Sequence, residues 1–224
     1  ALIAFLLVNV LTLAVKARVE KILSSECQDF LYSRMLPKGY DEENLHYICQ
    51  SYNKKARYIT LYNTSDRIPV YSAYIFKNSE GDKCVDASWM YEPQLSAHSG
   101  TADMQPFPQD HARRDFEDTQ ATLEDYNNAI MYERGALNPE VHHYDRDDKA
   151  ATYTLTNVVP VVSGFVNNVW RKQEDVIRKR LNNYCLGKAY IITGVTTSTD
   201  YISRQNVKRL AVPTYLWSAY CCTD

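Results

Sequence analysis

The sequence lacks the features that divide a chain into several units. Its 224 residues contain no internal repeat and no long segment rich in proline, glycine and serine, and only seven residues are glycine and eight are proline. A chain of this length can be organised around one sizeable hydrophobic core. We therefore expect a single domain, which we place at residues 18–224.

The chain also lacks an excess of charge of either sign. It has 25 lysines and arginines against 27 aspartates and glutamates, which gives a formal net charge of -2 and a pI near 6.2. A protein with this balance has no overall field that attracts nucleic acid. Any binding of phosphate groups must depend on a few clustered arginines.

No hydrophobic run reaches the roughly 20 residues that span a bilayer. Residues 1–15 are almost wholly apolar, with interruptions at Asn9 and Thr12, and small residues flank Lys16 where a signal peptidase would cleave. This pattern predicts a signal peptide-like segment at residues 1–17 and a secreted, extracellular protein with no stable membrane association. A retained segment is the alternative.

Zinc-site spacing is absent from the six cysteines, since the adjacent Cys221 and Cys222 cannot easily place both sulfurs on one tetrahedral ion. An even number of cysteines in a secreted chain indicates disulfide bonds, although the sequence does not choose among the pairings. Asn63-Thr64-Ser65 is an N-glycosylation triplet that fits an unmodified turn equally well. The cysteines are Cys27, Cys49, Cys84, Cys185, Cys221 and Cys222.

Several segments have the composition of β-strands. Residues 57–62 and 69–76 are rich in tyrosine and β-branched residues and flank a turn-forming segment, which predicts a hairpin. Alternating threonines at 151–156 predict a half-buried strand that continues into residues 158–162. Further strands are predicted at 188–194 and 208–222, the latter with a break at Pro213.

One segment has clear helical periodicity. Val166, Trp170, Ile177, Leu181 and Tyr184 recur at helical spacing through a charged stretch, which predicts a helix. Residues 96–120 show no sustained period and are expected to form a long surface loop. Because the strands and this helix do not alternate along the chain, the pattern indicates an α+β fold rather than a doubly wound sheet.

The most informative stretch is Tyr-Glu-Arg-Gly-Ala-Leu-Asn-Pro at residues 132–139. Together with the segments 48–50, 65–74, 151–157 and 213–222, in this order, it resembles the DNA/RNA non-specific endonuclease family, which has a ββα-metal (His-Me finger) active site. The family motif is Asp-Arg-Gly-His followed closely by proline. The resemblance covers nearly the whole chain after the apolar segment and implies a ββα-metal nuclease fold, with a central antiparallel sheet flanked by helices.

The resemblance implies hydrolysis of phosphodiester bonds in DNA or RNA. One Mg²⁺, held by an asparagine and waters, would bridge the scissile phosphate while a histidine activates water. Arg67 matches a phosphate-clamping arginine, although an arginine in a turn often forms only a surface ion pair. Glu133 stands where the family has aspartate, Arg134 is implied to orient the site or contact phosphate, and Asn157 matches an asparagine that supports the site.

The predicted helix carries the second half of the implied site. Glu174 and Arg178 lie four residues apart, so they project from one face of a helix. The resemblance implies that Glu174 holds a metal-bound water and that Arg178 steadies the transition state. The alternative is a solvated ion pair between these two residues, which would contribute little.

Two positions depart from the family pattern. Ala136 occupies the place of the general base, and a methyl group cannot accept a proton. Val166 occupies the place of the metal-ligand asparagine, and valine cannot bind a hard cation. Asn167 is one residue further on, about 100° around a helix, so it could substitute only if the start of the helix is rearranged. Two lesions in different functions favour natural loss of activity over a single engineered change.

Three functions remain open: a disabled metal-dependent endonuclease, a nucleic-acid-binding pseudoenzyme, and a structural extracellular protein. The chain as written is expected to be a very poor nuclease. His142 and His143, with aspartates at 145, 147 and 148, could in principle form a metal cluster. Because no predicted element fixes their geometry, we expect a polar surface loop instead.

Overall fold

The computed structural model describes residues 19–20, 23–81, 85–96, 100–108, 116–127, 129–196 and 199–223. Its central feature is a six-stranded sheet in the order β1-β2-β3-β4-β9-β12, in which every neighbouring pair is antiparallel. These strands are β1 (Val19–Glu20), β2 (Leu45–Tyr52), β3 (Lys55–Asn63), β4 (Ile68–Phe76), β9 (Ala189–Thr196) and β12 (Tyr215–Cys222).

Three two-stranded sheets and five short or medium α-helices complete the described part of the chain. The two-stranded sheets pair β5 (Met90–Tyr91) with β6 (Gln105–Pro106), β7 (Tyr132–Ala136) with β8 (Val158–Val162), and β10 (Tyr201–Arg204) with β11 (Val207–Ala211). The helices are α1 (Ser25–Gln28), α2 (Pro93–Ser96), α3 (Leu123–Asn127), α4 (Arg146–Ala151) and α5 (Arg171–Tyr184).

Among the described residues the hydrophobic core has three clusters, of which one includes α5 and another includes the antiparallel β7–β8 pair. Ile177 and Leu181 of α5 are buried against Tyr74 and Ile191 of the sheet. A second cluster of buried apolar residues surrounds Val158 and Val159 of β8. This packing fixes the start of α5 relative to β7, which determines the geometry of the site described below.

The predicted hairpin at residues 57–76 is confirmed as β3 and β4, which pair antiparallel. The two late strands are confirmed as β9 and the β11–β12 segment, with the break at Pro213. The expected α+β fold, with a central antiparallel sheet flanked by helices, is therefore correct. The loop predicted at 96–120 contains β6 within its described residues.

The strand predicted at residues 151–156 is wrong. Helix α4 ends at Ala151, and a 3-10 turn covers Leu155–Asn157. The threonine hydroxyls form a buried network of side-chain hydrogen bonds. The Thr154 and Thr156 hydroxyls lie 3.1 Å apart, and the Thr156 hydroxyl accepts a hydrogen bond from Gln50 Nε2 at 2.8 Å. Such local side-chain bonds compete with regular secondary structure.

The predicted helix is confirmed, but its first turn is not α-helical. Val166–Trp170 forms a π-helical turn that leads directly into α5. Trp170, Ile177 and Leu181 are buried as the periodicity indicates, whereas Tyr184 is 79% exposed. The wider π turn rotates the residues before α5 relative to a regular helix, so the positions of Val166 and Asn167 cannot be read from helical spacing alone.

Four of the six cysteines pair in two disulfides, Cys27–Cys49 and Cys185–Cys222, while Cys221 is free and exposed. Cys84 and the signal-like segment 1–17 lie outside the described residues. Asn63 is buried, and its Oδ1 accepts hydrogen bonds from the Ser65 and Asp66 backbone N–H groups, which favours the unmodified turn. Among the described helices, none is long and apolar enough to cross a membrane.

Candidate functional site

A cleft of about 150 Å³ opens between β7, the segment that follows it, and the start of α5. It brings together Arg134 and Ala136 of β7, Val166 of the π turn, and Glu174 of α5. The two motifs that resemble a nuclease active site therefore share one concave surface. The other lining residues are Trp89, Pro139, Glu140, Val141, Thr152, Tyr153 and Arg171.

Arg134 is held in the cleft by aromatic rings. Its guanidinium carbon lies 4.7 Å from the centre of the Trp89 ring and 5.6 Å from that of Tyr126, both cation-π distances. Burial lowers its pKa from the usual value, and the side chain has no ion pair with a carboxylate among the described residues. The planar N–H groups thus remain available at the edge of the guanidinium.

Glu133, the neighbour of Arg134, holds the start of the helix. Its carboxylate Oε1 accepts a hydrogen bond from the Val166 backbone N–H at 2.9 Å. A carboxylate at the first turn of a helix also interacts favourably with the helix dipole. Glu133 therefore joins β7 to the π turn.

Ala136 ends β7 beside the cleft, opposite Val158 of β8. Its methyl group has no proton-accepting atom. Within the described part of the chain, no histidine side chain lines the cleft. Gly135 packs closely against β8: a Cβ atom there would lie 3.1 Å from Val161 Cγ1, so Val161 would have to shift by a few tenths of an ångström to admit it.

Asn157 is buried near the cleft, and its side-chain amide accepts two hydrogen bonds and donates two. Its Oδ1 accepts from the Ser72 hydroxyl and from the Asn138 backbone N–H, both at 3.0 Å. Its Nδ2 donates to the backbone carbonyls of Asn138 at 2.9 Å and Thr152 at 3.0 Å. This one buried side chain links the central sheet to the segment after β7. It acts as a positioning residue and does not line the cleft.

Glu174 lies at the wall of the cleft and is only 8% exposed. Burial raises the pKa of its carboxyl to about 8, and the charge of Arg171 opposes this shift. The carboxylates of Asp175 and Glu140 raise it further. The carboxyl of Glu174 is therefore largely protonated at neutral pH, which makes it a hydrogen-bond donor rather than an anion.

His142 and His143 are buried, at 1% and 2% exposure, so the expectation of a polar surface loop is wrong. Burial lowers their pKa values to about 4 and about 3. His142 Nε2 donates to the backbone carbonyl of Glu174 at 3.0 Å, so its Nδ1 accepts from the Tyr74 hydroxyl at 2.9 Å. The neutral imidazole of His142 thus helps to position Glu174 and has no nitrogen left for a ligand.

Arg67 is placed away from the cleft lining. Its guanidinium donates to the backbone carbonyls of Glu117 at 2.9 Å, Ser65 at 3.1 Å and Arg209 at 3.3 Å. Its backbone has a φ of 54°, in the left-handed region. Neither the phosphate clamp nor the surface ion pair describes these contacts, which hold the loop around residue 117 to the central sheet.

Arg178 also lies outside the cleft lining. It donates to the Ser79 backbone carbonyl at 3.0 Å and forms an ion pair with Asp175 at 3.2 Å. The ion pair considered between Arg178 and Glu174 is therefore not formed. The reason is that the buried carboxyl of Glu174 faces the cleft, while Arg178 packs against the segment after β4.

The residues of the cleft do not fit a hydrated Mg²⁺ ion. Val166 lines the cleft with an apolar side chain, and Asn167 is exposed and is not among the lining residues, so the π turn does not bring it into the place of the missing ligand. Glu174 favours its protonated form, and Glu140 Oε2 accepts a hydrogen bond from the Tyr153 hydroxyl at 3.0 Å. A hard cation prefers anionic or carbonyl oxygens that are free to ligate.

Comparison with known proteins identifies the family. The model of the family described as DNA/RNA non-specific endonuclease matches residues 38–224. The chain belongs to this family. The match includes β7, the π turn and α5, so it contains both walls of the cleft. The resemblance inferred from the motif is thereby confirmed.

Two curated relatives are similar over most of the chain. Human endonuclease domain-containing 1 protein is 30% identical over 201 residues, which are 88% of this chain and 39% of that protein. The mouse protein of the same name is 28% identical over 202 residues, 88% of this chain and 38% of its own length. The chain thus spans well under half the length of these relatives.

A solved structure supports the fold. A chain in the crystal structure of the EndoG/EndoGI complex, which concerns the mechanism of EndoG inhibition, superposes with a TM-score of 0.50. The match covers 76% of this chain and 66% of that one, at 22% sequence identity. At this level of identity the likeness establishes the nuclease fold and nothing more specific.

Three residues that line the cleft are not indicated by the sequence motifs: Arg171, Trp89 and Glu140. Arg171 could have been found, since it precedes Glu174 by three residues and therefore shares its face of the helix. Trp89 lies outside the helices and strands and Glu140 begins a three-residue 3-10 turn, so no periodic pattern places either side chain. Their position in the cleft depends on tertiary packing.

Proposed function

We propose that this chain is a secreted domain that binds DNA or RNA through the cleft and does not hydrolyse it. The observation that carries the proposal is the methyl group of Ala136 at the edge of a cleft that retains Arg134 and Glu174. Without a general base, a rate loss of about 10²–10⁴ is expected. The loss of the metal-ligand asparagine at Val166 adds to it.

The retained arginine supports binding over a purely structural role. A structural protein would be expected to bury or neutralise a cation that no longer serves a reaction. Arg134 instead keeps its donor groups free of carboxylates among the described residues, beside an open cleft. Arginines of this kind recognise phosphate groups well because their donors form a planar fork.

Secretion is the second part of the proposal. The apolar segment at residues 1–17 supports it, as do the two disulfides, which persist in oxidising compartments. Expression in cultured cells should place the protein in the medium, and sequencing its N-terminus there would show whether cleavage follows Ala17. Retention inside the cell would contradict this part.

Catalytic activity is tested with plasmid DNA and RNA in the presence of Mg²⁺. We expect no cleavage above background, because neither a base nor the usual metal ligand is present. The double variant Ala136→His, Val166→Asn restores both groups, and we expect it to cleave measurably. Ala136→His alone should recover less, since the metal ligand is still missing.

Clear metal-dependent turnover by the unmodified chain would overturn the proposal that it is inactive. A matched control is Ala129→His, which introduces a histidine elsewhere in the described chain. It should remain inactive, so that any gain from Ala136→His can be assigned to the cleft.

A further inference from the structure

We propose that the cleft binds phosphodiester groups directly through Arg171 and Arg134, without a divalent metal ion. This inference rests on the proposed function and specifies how the same cleft recognises its ligand. Both arginines line the cleft, whose other residues do not fit a hydrated Mg²⁺ ion.

Arg171 is the first residue of α5 and reaches the cleft from the side opposite β7. It is exposed, and it forms no ion pair with a carboxylate among the residues that the structure describes. Its charge acts on Glu174 of the cleft wall, but the carboxyl of Glu174 is buried, and burial raises its pKa to about 8. The guanidinium of Arg171 is therefore free to meet an incoming anion.

Arg134 supplies the second contact and is already oriented. Its guanidinium carbon lies 4.7 Å from the centre of the Trp89 ring and 5.6 Å from that of Tyr126, and these contacts restrict the guanidinium before any ligand binds. A side chain fixed in advance loses less conformational entropy on binding. Partial burial also strengthens its interaction with an anion relative to that in bulk water.

The charges of the cleft favour an anion over a divalent cation. Arg134 and Arg171 each carry a positive charge, and they would repel a metal ion placed between them. Besides Glu174, Glu140 is the carboxyl side chain that lines the described cleft, and its Oε2 already accepts a hydrogen bond from the Tyr153 hydroxyl. Protonated Glu174 offers a donor that a phosphate oxygen could accept from.

The test measures the affinity of the full chain for a short fluorescein-labelled single-stranded DNA, first with EDTA and then with Mg²⁺. We expect binding in EDTA, and we expect Mg²⁺ to weaken it slightly, because the ion competes for the phosphates. Arg171→Gln should weaken binding about tenfold, as expected for loss of one charged hydrogen-bonding contact. Its plot of log affinity against log salt should be shallower by about one unit.

The matched control is Lys172→Gln, which removes the same charge from the next residue of the helix. Lys172 is exposed and does not line the cleft, so its loss should change affinity less than about twofold. Both variants should melt at the temperature of the unmodified protein, since both side chains are exposed. A folded Arg171→Gln protein that binds as well as Lys172→Gln would overturn the proposal.

The result with metal separates this inference from the proposed function. DNA binding that appears only with Mg²⁺ would overturn the metal-free mode and leave the nucleic-acid-binding function intact. No binding in either condition would overturn both. Binding in EDTA that depends on Arg171 and not on Lys172 would support both.

Discussion

Two regions of this molecule contain arginines with different partners: carboxylates in one region and aromatic rings in the other. In β11, Arg209 donates to Asp125 with its Nε at 2.9 Å and its Nη2 at 3.0 Å, and in β10, Arg204 pairs with Glu117 and Glu124. In the cleft, Arg134 contacts aromatic rings and has no described ion pair with a carboxylate. A phosphate site is therefore indicated by arginines that lack carboxylate partners, and not by the number of arginines in a region.

The paired region stabilises the fold. Asp125 is buried, and besides Arg209 it accepts hydrogen bonds from the Thr122 N–H at 2.9 Å and hydroxyl at 3.0 Å. Although burial alone would raise the pKa of Asp125, the hydrogen bonds from Arg209 and Thr122 lower it below the usual value. Its charge is thus matched locally, and little of the arginine charge reaches solvent.

The largest effect is expected from breaking this pairing. Asp125→Ala leaves the buried guanidinium of Arg209 without its partner, so we expect a loss of about 3–5 kcal/mol in the free energy of unfolding. Urea unfolding measures this directly. Glu124→Gln, at a partner of Arg204 whose side chain is 45% exposed, should cost less than about 1 kcal/mol. A loss for Asp125→Ala as small as that for Glu124→Gln would contradict the assignment of a structural role.

The next effect concerns the pH dependence of stability in the cleft. The pKa of Glu174 is about 8 in the folded protein, against an ordinary value of 4.5. Between these pH values the folded chain holds a proton that the unfolded chain has released, so the free energy of unfolding falls as pH rises through this window. Glu174→Gln resembles the protonated form and removes this dependence.

Thermal unfolding of both proteins is measured from about pH 4 to about pH 9, a range that spans the unfolded and folded pKa values of Glu174. The two should be similar near pH 4, and Glu174→Gln should become more stable on the order of 2–4 kcal/mol above pH 8. A parallel pH dependence in the two proteins would show that Glu174 ionises normally. In that case the cleft would carry one more negative charge than we infer.

Much of the fold could be predicted because the signals were local. The β3–β4 hairpin follows from two apolar runs around a turn, and α5 follows from the spacing of Trp170, Ile177 and Leu181. The threonine segment at 151–156 misled the prediction because alternating threonines suit both a strand and a buried hydroxyl network. The choice between them depends on Gln50, which is distant in sequence.

The site could be predicted only in part. Arg134, Ala136, Val166 and Glu174, which the motif assigns to one site, line one cleft, because each belongs to a strand or to the helical segment. Their functional roles stay predictions. Arg67 and Arg178 have partners from other parts of the chain, and no sequence spacing reveals those contacts. The sequence predicts no regular element around His142 and His143, and their burial depends on packing against Tyr74, which is distant in sequence.

The most direct test of the account compares the DNA affinity of Arg134→Gln with that of Arg67→Gln. Arg134→Gln should bind labelled DNA about tenfold more weakly, with a salt dependence reduced by about one unit. Arg67→Gln should bind as the unmodified chain does, once its folding is confirmed, because its donors already serve backbone carbonyls. Equal losses in the two variants, or a loss confined to Arg67→Gln, would contradict the assignment of phosphate recognition to this cleft.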